Sequence, residues 1–290
     1  MIRYRLISFA ASGTGWRDLM KTYLSRRLLP FATGFAIVVG TLGTVVLATG
    51  CTRRPVAGMA ATFDGSTGEV SIPLVTTATA NVTLESWVKV PASAKGCFIK
   101  IGDASTGYGL GVAAPGGWFD DSGPGNALVA LYERVGWVYP TGNPTLLPGV
   151  WHHVAFVIGP AESAPTFYID GTAYAGNASA APHTPANSAS IGEDIAGDRW
   201  TNATLAKVAV YNSALSAARI TAHATATTDA TYDAAVLADS PVAFYELQYD
   251  ESSGMTATDK SGNSNNGTYS GGVEFSEPGP FAGTQQPKAQ

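Results

Sequence analysis

Cysteine is nearly absent from this chain. Cys51 and Cys97 are the only two in 290 residues, so there is no disulfide framework and stability must come from a packed core. Charge is scarce too: Asp, Glu, Lys and Arg together make up 13%, about half the usual soluble share. The net charge is -5 and the second half carries no basic block, which argues against nucleic acid as a partner. No internal repeat of about 20–50 residues is visible along the body of the chain. There is also no Gly-x-Ser-x-Gly elbow of the kind that presents a serine nucleophile. What is plentiful is Gly, Ala, Thr and Ser, with 33 glycines, a composition suited to a secreted β protein with short strands and many turns.

The centre of the sequence is the stretch from Trp151 to Gly171. His152, Val154, Phe156 and Ile158 share one face of a strand, and Trp151, His153, Ala155 and Val157 share the other. Neither face carries an acidic residue, lysine or arginine, as expected of a strand deep in a sheet. A second strand follows over 166–169, and Asp170-Gly171 is a turn pair suited to positive φ, so 172–174 is expected to return antiparallel.

The first fifty residues are a different material. Arg3, Arg5, Arg17, Lys21, Arg26 and Arg27 precede an uncharged run from Leu28 to Gly50, and Arg53 and Arg54 follow it. The run is long enough for a helix to span a bilayer, although Gly34, Gly40, Gly43 and four threonines dilute it. Three readings fit. One is an export signal with Met20 as its start, in which Ser25-Arg26-Arg27-Leu28-Leu29 resembles a twin-arginine signal. In that reading Leu47-Ala48-Thr49-Gly50-Cys51 resembles a bacterial lipobox, with Cys51 the lipidated residue. The second is an uncleaved signal anchor holding the protein to a membrane. The third is an artefact of start-site choice, or a virion protein whose apolar segment packs in an assembly.

Further strands are expected over 59–63, 69–73, 81–90, 97–101, 108–113, 127–134, 135–139, 189–191 and 205–211. In 81–90, Val82, Leu84, Ser86, Val88 and Val90 lie on one side and Thr83, Glu85, Trp87 and Lys89 on the other. Residues 213–225 and 231–238 read as short helices, the first with Leu215, Ile220 and His223 on one side. The expected division is a basic and hydrophobic signal or anchor over 1–55, a sandwich over 56–228, a helix and strand segment over 229–282, and a disordered tail over 283–290. A lone strand at 242–247 has no means of burying its face, so 229–282 is expected to complete the sandwich; the alternative is the start of a truncated second repeat.

Several segments then point one way: Phe63-Asp64-Gly65, Thr83 to Val88, Trp151 to Ala155, Tyr168-Ile169-Asp170-Gly171, Ile191-Gly192, and Val208 to Ser216. In this order they resemble the laminin-G-like domains of the concanavalin A-like lectin and glucanase family. The resemblance implies an all-β fold, a two-sheet antiparallel jelly-roll sandwich, here with an N-terminal hydrophobic export or anchor helix and short C-terminal helices. The chain departs from the family at Ala206-Lys207, where relatives often carry an Asp-Glu pair. The family's hydrolases usually carry Glu-x-Asp-x-x-Glu on one strand, and no such run occurs here. Glu193-Asp194 and Asp250-Glu251 are adjacent pairs, read as solvated turn carboxylates. Neighbouring strand positions face opposite ways, so His152 and His153 cannot share a metal ion and read as strand filler. His183 and His223 read as isolated.

Two sites are nevertheless expected. Trp118, Trp137, Tyr139 and Trp200 lie in or beside loops with Asp120, Asp121 and Asp198 close in sequence, and sugar rings stack their apolar faces on such aromatics. At least two of the four aromatics are expected to cap the ends of the core instead. Asp259, Asn263 and Asn265 offer oxygens to calcium in a Gly-rich turn, or form an Asx-rich turn that bonds only its own backbone. The expected function is a non-catalytic, exported or surface-anchored module that binds a glycan or a cell-surface protein. A structural part of a phage tail or virion is the alternative, and a glycan-active enzyme the third.

Overall fold

The computed structural model describes residues 36–39, 45–48, 58–119, 125–160, 163–178, 180–194, 199–249 and 254–282. The chain divides into two units, Met1–Arg54 and Pro55–Gln290. In the first, strand β1 (Ala36–Val39) pairs antiparallel with β2 (Val45–Ala48), Ala36 opposite Ala48 and Val39 opposite Val45. These two short segments are strand, and the rest of the expected hydrophobic helix lies outside the described residues. Ile37, Val38, Val39, Val45 and Val46 are β-branched, which restricts them in a helix and suits them to a ladder. Among the described residues no helix is long and apolar enough to cross a membrane. Met20, the paired arginines and Cys51, the expected lipidation site, lie outside the described residues.

The second unit opens with β3 (Met59–Phe63), β4 (Glu69–Ile72), β5 (Val82–Lys89), β6 (Gly96–Ile101), β7 (Tyr108–Ala113) and β8 (Ala127–Tyr132). Next come β9 (Gly136–Val138), β10 (Trp151–Ile158), β11 (Thr166–Ile169), β12 (Thr172–Ala175), β13 (Ala189–Ile191) and β14 (Thr204–Tyr211). Helices α1 (Ala217–Ala224) and α2 (Asp229–Ala238) precede β15 (Ala243–Tyr245), β16 (Thr256–Ala257), β17 (Gly267–Ser270) and β18 (Val273–Pro278). The strands form a sandwich of two antiparallel sheets. The first runs β12-β11-β10-β5-β14-β3-β18, with β15 also on β14; the second runs β16-β17-β4-β13-β6-β7-β8-β9.

The alternation read from sequence is the alternation of the core. Val82, Leu84, Val88, Val154, Phe156 and Ile158 pack into one cluster with residues of the second sheet. Their neighbours Trp87, Ala155 and Val157 join a separate cluster with Ile220, Tyr232 and Val236 of α1 and α2. The first sheet is therefore buried on both faces, which is why β10 carries no acidic residue, lysine or arginine on either. The β11–β12 hairpin turns at Asp170 (φ 50°) and Gly171 (φ 80°), as their types anticipate. Helix α2 begins earlier than periodicity indicated because Thr228 caps it, exchanging side-chain and backbone bonds with Thr231.

The C-terminal segment contributes to both sheets. β15 pairs with β14, β17 with β4, and β18 with β3, Val273 opposite Phe63. Two polar clusters join this segment to the first sheet. Lys207 sits at a bulge in β14 with a left-handed backbone, φ 56°. Its ammonium, shielded from solvent, reaches Asp229 at 2.9 Å, Asp233 at 2.8 Å and Glu246 at 3.1 Å. At this bulge a cation thus collects carboxylates from α2 and from the residue after β15.

The second cluster centres on Glu85 of β5, which has no solvent exposure. Its carboxylate accepts a bond from Tyr211 at 2.5 Å and contacts His223 Nδ1 at 3.0 Å and His153 Nε2 at 3.2 Å. His223 Nε2 in turn lies 3.0 Å from Asp239, which Arg219 also holds. His223, read as isolated in sequence, is therefore flanked by a carboxylate at each ring nitrogen. His153 is likewise more than strand filler, since its ring reaches the buried Glu85 carboxylate.

Burial pushes the His223 imidazole toward neutrality, but the bond it donates to Glu85 and the charges of Glu85 and Asp239 prevail and raise its pKa. Burial likewise pushes Glu85 up, yet the bonds and charges of His153 and His223 hold it at about 2. A raised histidine stabilises fully below its unfolded pKa of about 6.5 and loses that contribution as pH rises through its folded value. A depressed glutamate contributes above its unfolded value and loses that contribution as pH falls through its folded one. Stability from this cluster is therefore expected to peak between about pH 4.5 and 6.5 and to decline on both sides. His223→Gln is expected to cost about 3 kcal/mol at the peak and less at alkaline pH, as checked by urea denaturation across pH.

Candidate functional site

On the second sheet, Leu110, Val112, Leu128, Ala130, Tyr132 and Val138 point into the main core. The alternate positions form a different cluster on the outer face: Cys97, Ala113, Val129 and Leu131, with Phe119, Trp137 and Tyr139 packed over them. β7 has no side chain at two of these outward positions. A Cβ on Gly111 would lie 2.8 Å from the Phe119 ring and 2.2 Å from the Gly96 carbonyl, and one on Gly109 would lie 3.3 Å from the Lys100 stem. The glycines thus leave room for Phe119 and Lys100 to lie across the strand.

An aromatic group stands on this floor. Phe119 is fully buried and meets Trp137 edge to face, with centroids 4.8 Å apart at 87°. Trp118 lies parallel to Trp137 in an offset stack, 6.1 Å apart at 8°, and is 53% exposed. The Arg199 guanidinium sits 5.6 Å from the centroid of Trp137, within cation–π range. The segment carrying Arg199 and Trp200 runs beside β6, where the Cys97 amide donates to the Arg199 carbonyl.

Charges adjoin the aromatics in opposed pairs. Arg199 Nη1 contacts Asp194 at 2.5 Å, and Asp194 has no exposure. Lys100, also without exposure, donates to the carbonyls of Asp103 at 2.6 Å and Thr106 at 2.8 Å, with Glu133 at 3.7 Å. Burial lowers the Lys100 pKa against the opposing charge of Glu133, and burial raises that of Glu133 against the opposing charge of Lys100. Glu133 Oε1 is buried without a hydrogen-bond donor. Glu193 and Asp194 are not the solvated carboxylates expected from sequence. They follow β13, which is inserted between β4 and β6, and both are buried.

Of the expected site residues, Trp118 and Trp137 come together. Tyr139 packs beside them half-buried, its amide donating to Asn177, and Trp200 is half-buried next to Arg199. Asp120, Asp121 and Asp198 lie outside the described residues, as do Asp250 and Glu251. Sequence reasoning missed Lys100, Phe119, Glu133 and Arg199. The available signal was Lys100 itself, a lone charge inside the apolar run Cys97 to Ile101 in a chain poor in charge.

The turn offered to calcium is occupied by its own bonds. Asp259 accepts from the amides of Phe244, Ser261 and Asn265 and from the Ser261 hydroxyl, at 2.9–3.0 Å. Asn263 and Asn265 turn their amide nitrogens to the Val242 carbonyl. With four donors on the one carboxylate, this donor set does not fit a hard cation and matches an Asx-rich turn. His152 is likewise structural: Nε2 accepts from the Leu147 amide at 2.9 Å, so Nδ1 donates to Asp170 at 2.7 Å.

Comparison with known proteins agrees with this architecture. The family model of the concanavalin A-like lectin/glucanases superfamily matches residues 64–221. A Bacteroides ovatus protein provisionally designated as carbohydrate binding superposes with a TM-score of 0.54 at 18% identity, covering 77% of this chain. The chain spans 62% of the length of that structure. Domain 4 of an extracellular arabinanase from Geobacillus stearothermophilus, in complex with arabinotriose, gives 0.43 at 20% identity, covering 66% of this chain and 81% of that domain. A heptameric pentraxin from Limulus polyphemus gives 0.44 at 14% identity, covering 58% and 82%. No curated protein matches the sequence.

The burial pattern separates the exposed indole from the buried ring beneath it. Trp118→Ala is expected to change stability by less than about 1 kcal/mol, whereas Phe119→Ala is expected to cost about 3–5 kcal/mol. Urea midpoints of the two variants check this.

Proposed function

Because the chain belongs to the concanavalin A-like lectin/glucanases superfamily, we propose that it is a non-catalytic glycan-binding module whose platform is the Trp118–Trp137 pair. The observation that carries this reading is the parallel stack of an exposed indole on a half-buried one, at 6.1 Å and 8°. Adjoining exposed apolar surface marks an interaction site, and the apolar face of a sugar ring is suited to stack on it. Phe119 and the glycines of β7 support the platform from beneath. Glycoside hydrolysis needs two carboxylates flanking the scissile bond. Here Glu133 is buried beside Lys100 and Asp194 beside Arg199, an arrangement that favours binding over bond cleavage.

Export also belongs to this proposal. It is supported by the basic residues before an uncharged run in the first fifty residues and by the scarcity of charge and abundance of Gly, Ala, Thr and Ser. A membrane-held or secreted module would present the platform to glycans of an envelope or matrix, where several weak sites acting together raise avidity.

The test is titration of the full chain against a panel of oligosaccharides. Saturable binding is expected, with Trp118→Ala weakening it at least about tenfold, which corresponds to about 1.4 kcal/mol, and with affinity unchanged by calcium or chelator. A folded protein that binds no oligosaccharide, or binds equally well without the Trp118 ring, would overturn the reading.

A further inference from the structure

Exposed apolar side chains gather at one end of the sandwich. Leu147 is 62% exposed and Val150 48%, and Pro148 between them is exposed too. Hydrogen bonds bring other turns to the same place. The Gly149 amide donates to the Val90 carbonyl at 2.8 Å, next to the exposed Pro91. Trp151, half-buried, donates its Nε1–H to the carbonyl of the exposed Pro278 at 3.2 Å. Lys89 and Glu277 beside them pair with each other at 2.8 Å. The chain also enters the sandwich here, because Pro278 lies opposite Met59 and the Gly279 amide donates to the Gly58 carbonyl at 3.1 Å.

The geometry points to this end as a docking surface for a phospholipid bilayer, an inference that rests on the membrane-held arm of the reading above. Whether the anchor is the uncharged run to Gly50 or a lipid on Cys51, Gly58 follows within eight residues. Eight residues extend to at most about 28 Å, so this is the end of the sandwich held nearest the lipid. Arg53 and Arg54 lie in that tether, where cations meet the anionic headgroups of a bilayer surface. Leucine, valine and proline side chains on turns suit the boundary of headgroups and acyl chains, and a tryptophan whose N–H is already bonded suits the same layer. A patch of this size binds weakly alone, but the tether makes its contact intramolecular and raises its effective concentration. Leu237, also exposed, has a different setting. It lies in the last turn of α2, which leads to Val242 and its bond to Val210, at the opposite end of β5 from Lys89.

The experiment reconstitutes the full chain in vesicles of phosphatidylcholine and phosphatidylglycerol that carry a photoactivatable lipid, and maps the adducts by peptide mass spectrometry. Adducts are expected in residues 147–151 and 278–280 and absent from 230–238. The double variant Leu147→Asp, Val150→Asp is expected to lose them and to keep those in residues 28–51. Both side chains are exposed, so the variant folds, which its urea midpoint checks; the map of the unaltered chain decides the matter without it. Adducts confined to 28–51, adducts equally frequent in 230–238, or adducts in 147–151 that survive the double variant would overturn the inference and leave membrane holding in place. No adducts anywhere would remove membrane holding and this inference with it.

Discussion

A carboxylate shut away from water has to be met by protons or cations on every side, and Glu85 meets that condition through residues far apart in the chain. His153 comes from β10, Tyr211 from β14, His223 from α1 and Tyr232 from α2. None of these groups can leave without stranding a buried charge, so the cluster joins sheet and helices into one unit. Lys207 repeats the logic with the sign reversed, an ammonium gathering Asp229, Asp233 and Glu246. Both clusters lie on the helix-covered side of the first sheet. The C-terminal segment is the part they bind.

The two sheets consequently have different fates. The first is covered on both faces, by the second sheet and by α1 and α2. The second carries on its outer face a smaller cluster topped by indoles, with Trp118 largely exposed. Among the described residues, Lys100 faces Glu133 and Arg199 faces Asp194 on this side of the sheet. Glycines in β7 make this arrangement possible by removing the side chains that would otherwise fill the space under Phe119 and beside Lys100.

Much of the fold was legible in the sequence because strand burial writes itself as alternation. Val82, Leu84 and Val88 against Thr83, Glu85 and Trp87 is a pattern of period two that survives without knowing any neighbour. The Asp170-Gly171 turn was legible for a similar reason, since few residue pairs tolerate its backbone. The strands at 36–39 and 45–48 were not: helix and strand are both open to a short apolar segment rich in valine, and periodicity does not separate them. Trp118 and Trp137 stood out by residue type alone. Glu193, Asp194 and His223 were misjudged, because adjacency in sequence says nothing about which strand or helix packs above a side chain.

Local rules, then, determined the strands, the tight hairpin, the helix caps and the presence of surface aromatics, since each depends on a few consecutive residues and on backbone sterics. Tertiary structure alone decided which charges meet. Lys100 finds Glu133 across the outer face, and Glu85 finds His223 across 138 positions. Such pairings are set by sheet order, and sheet order is the sum of burial over the whole chain, which no single stretch of it contains.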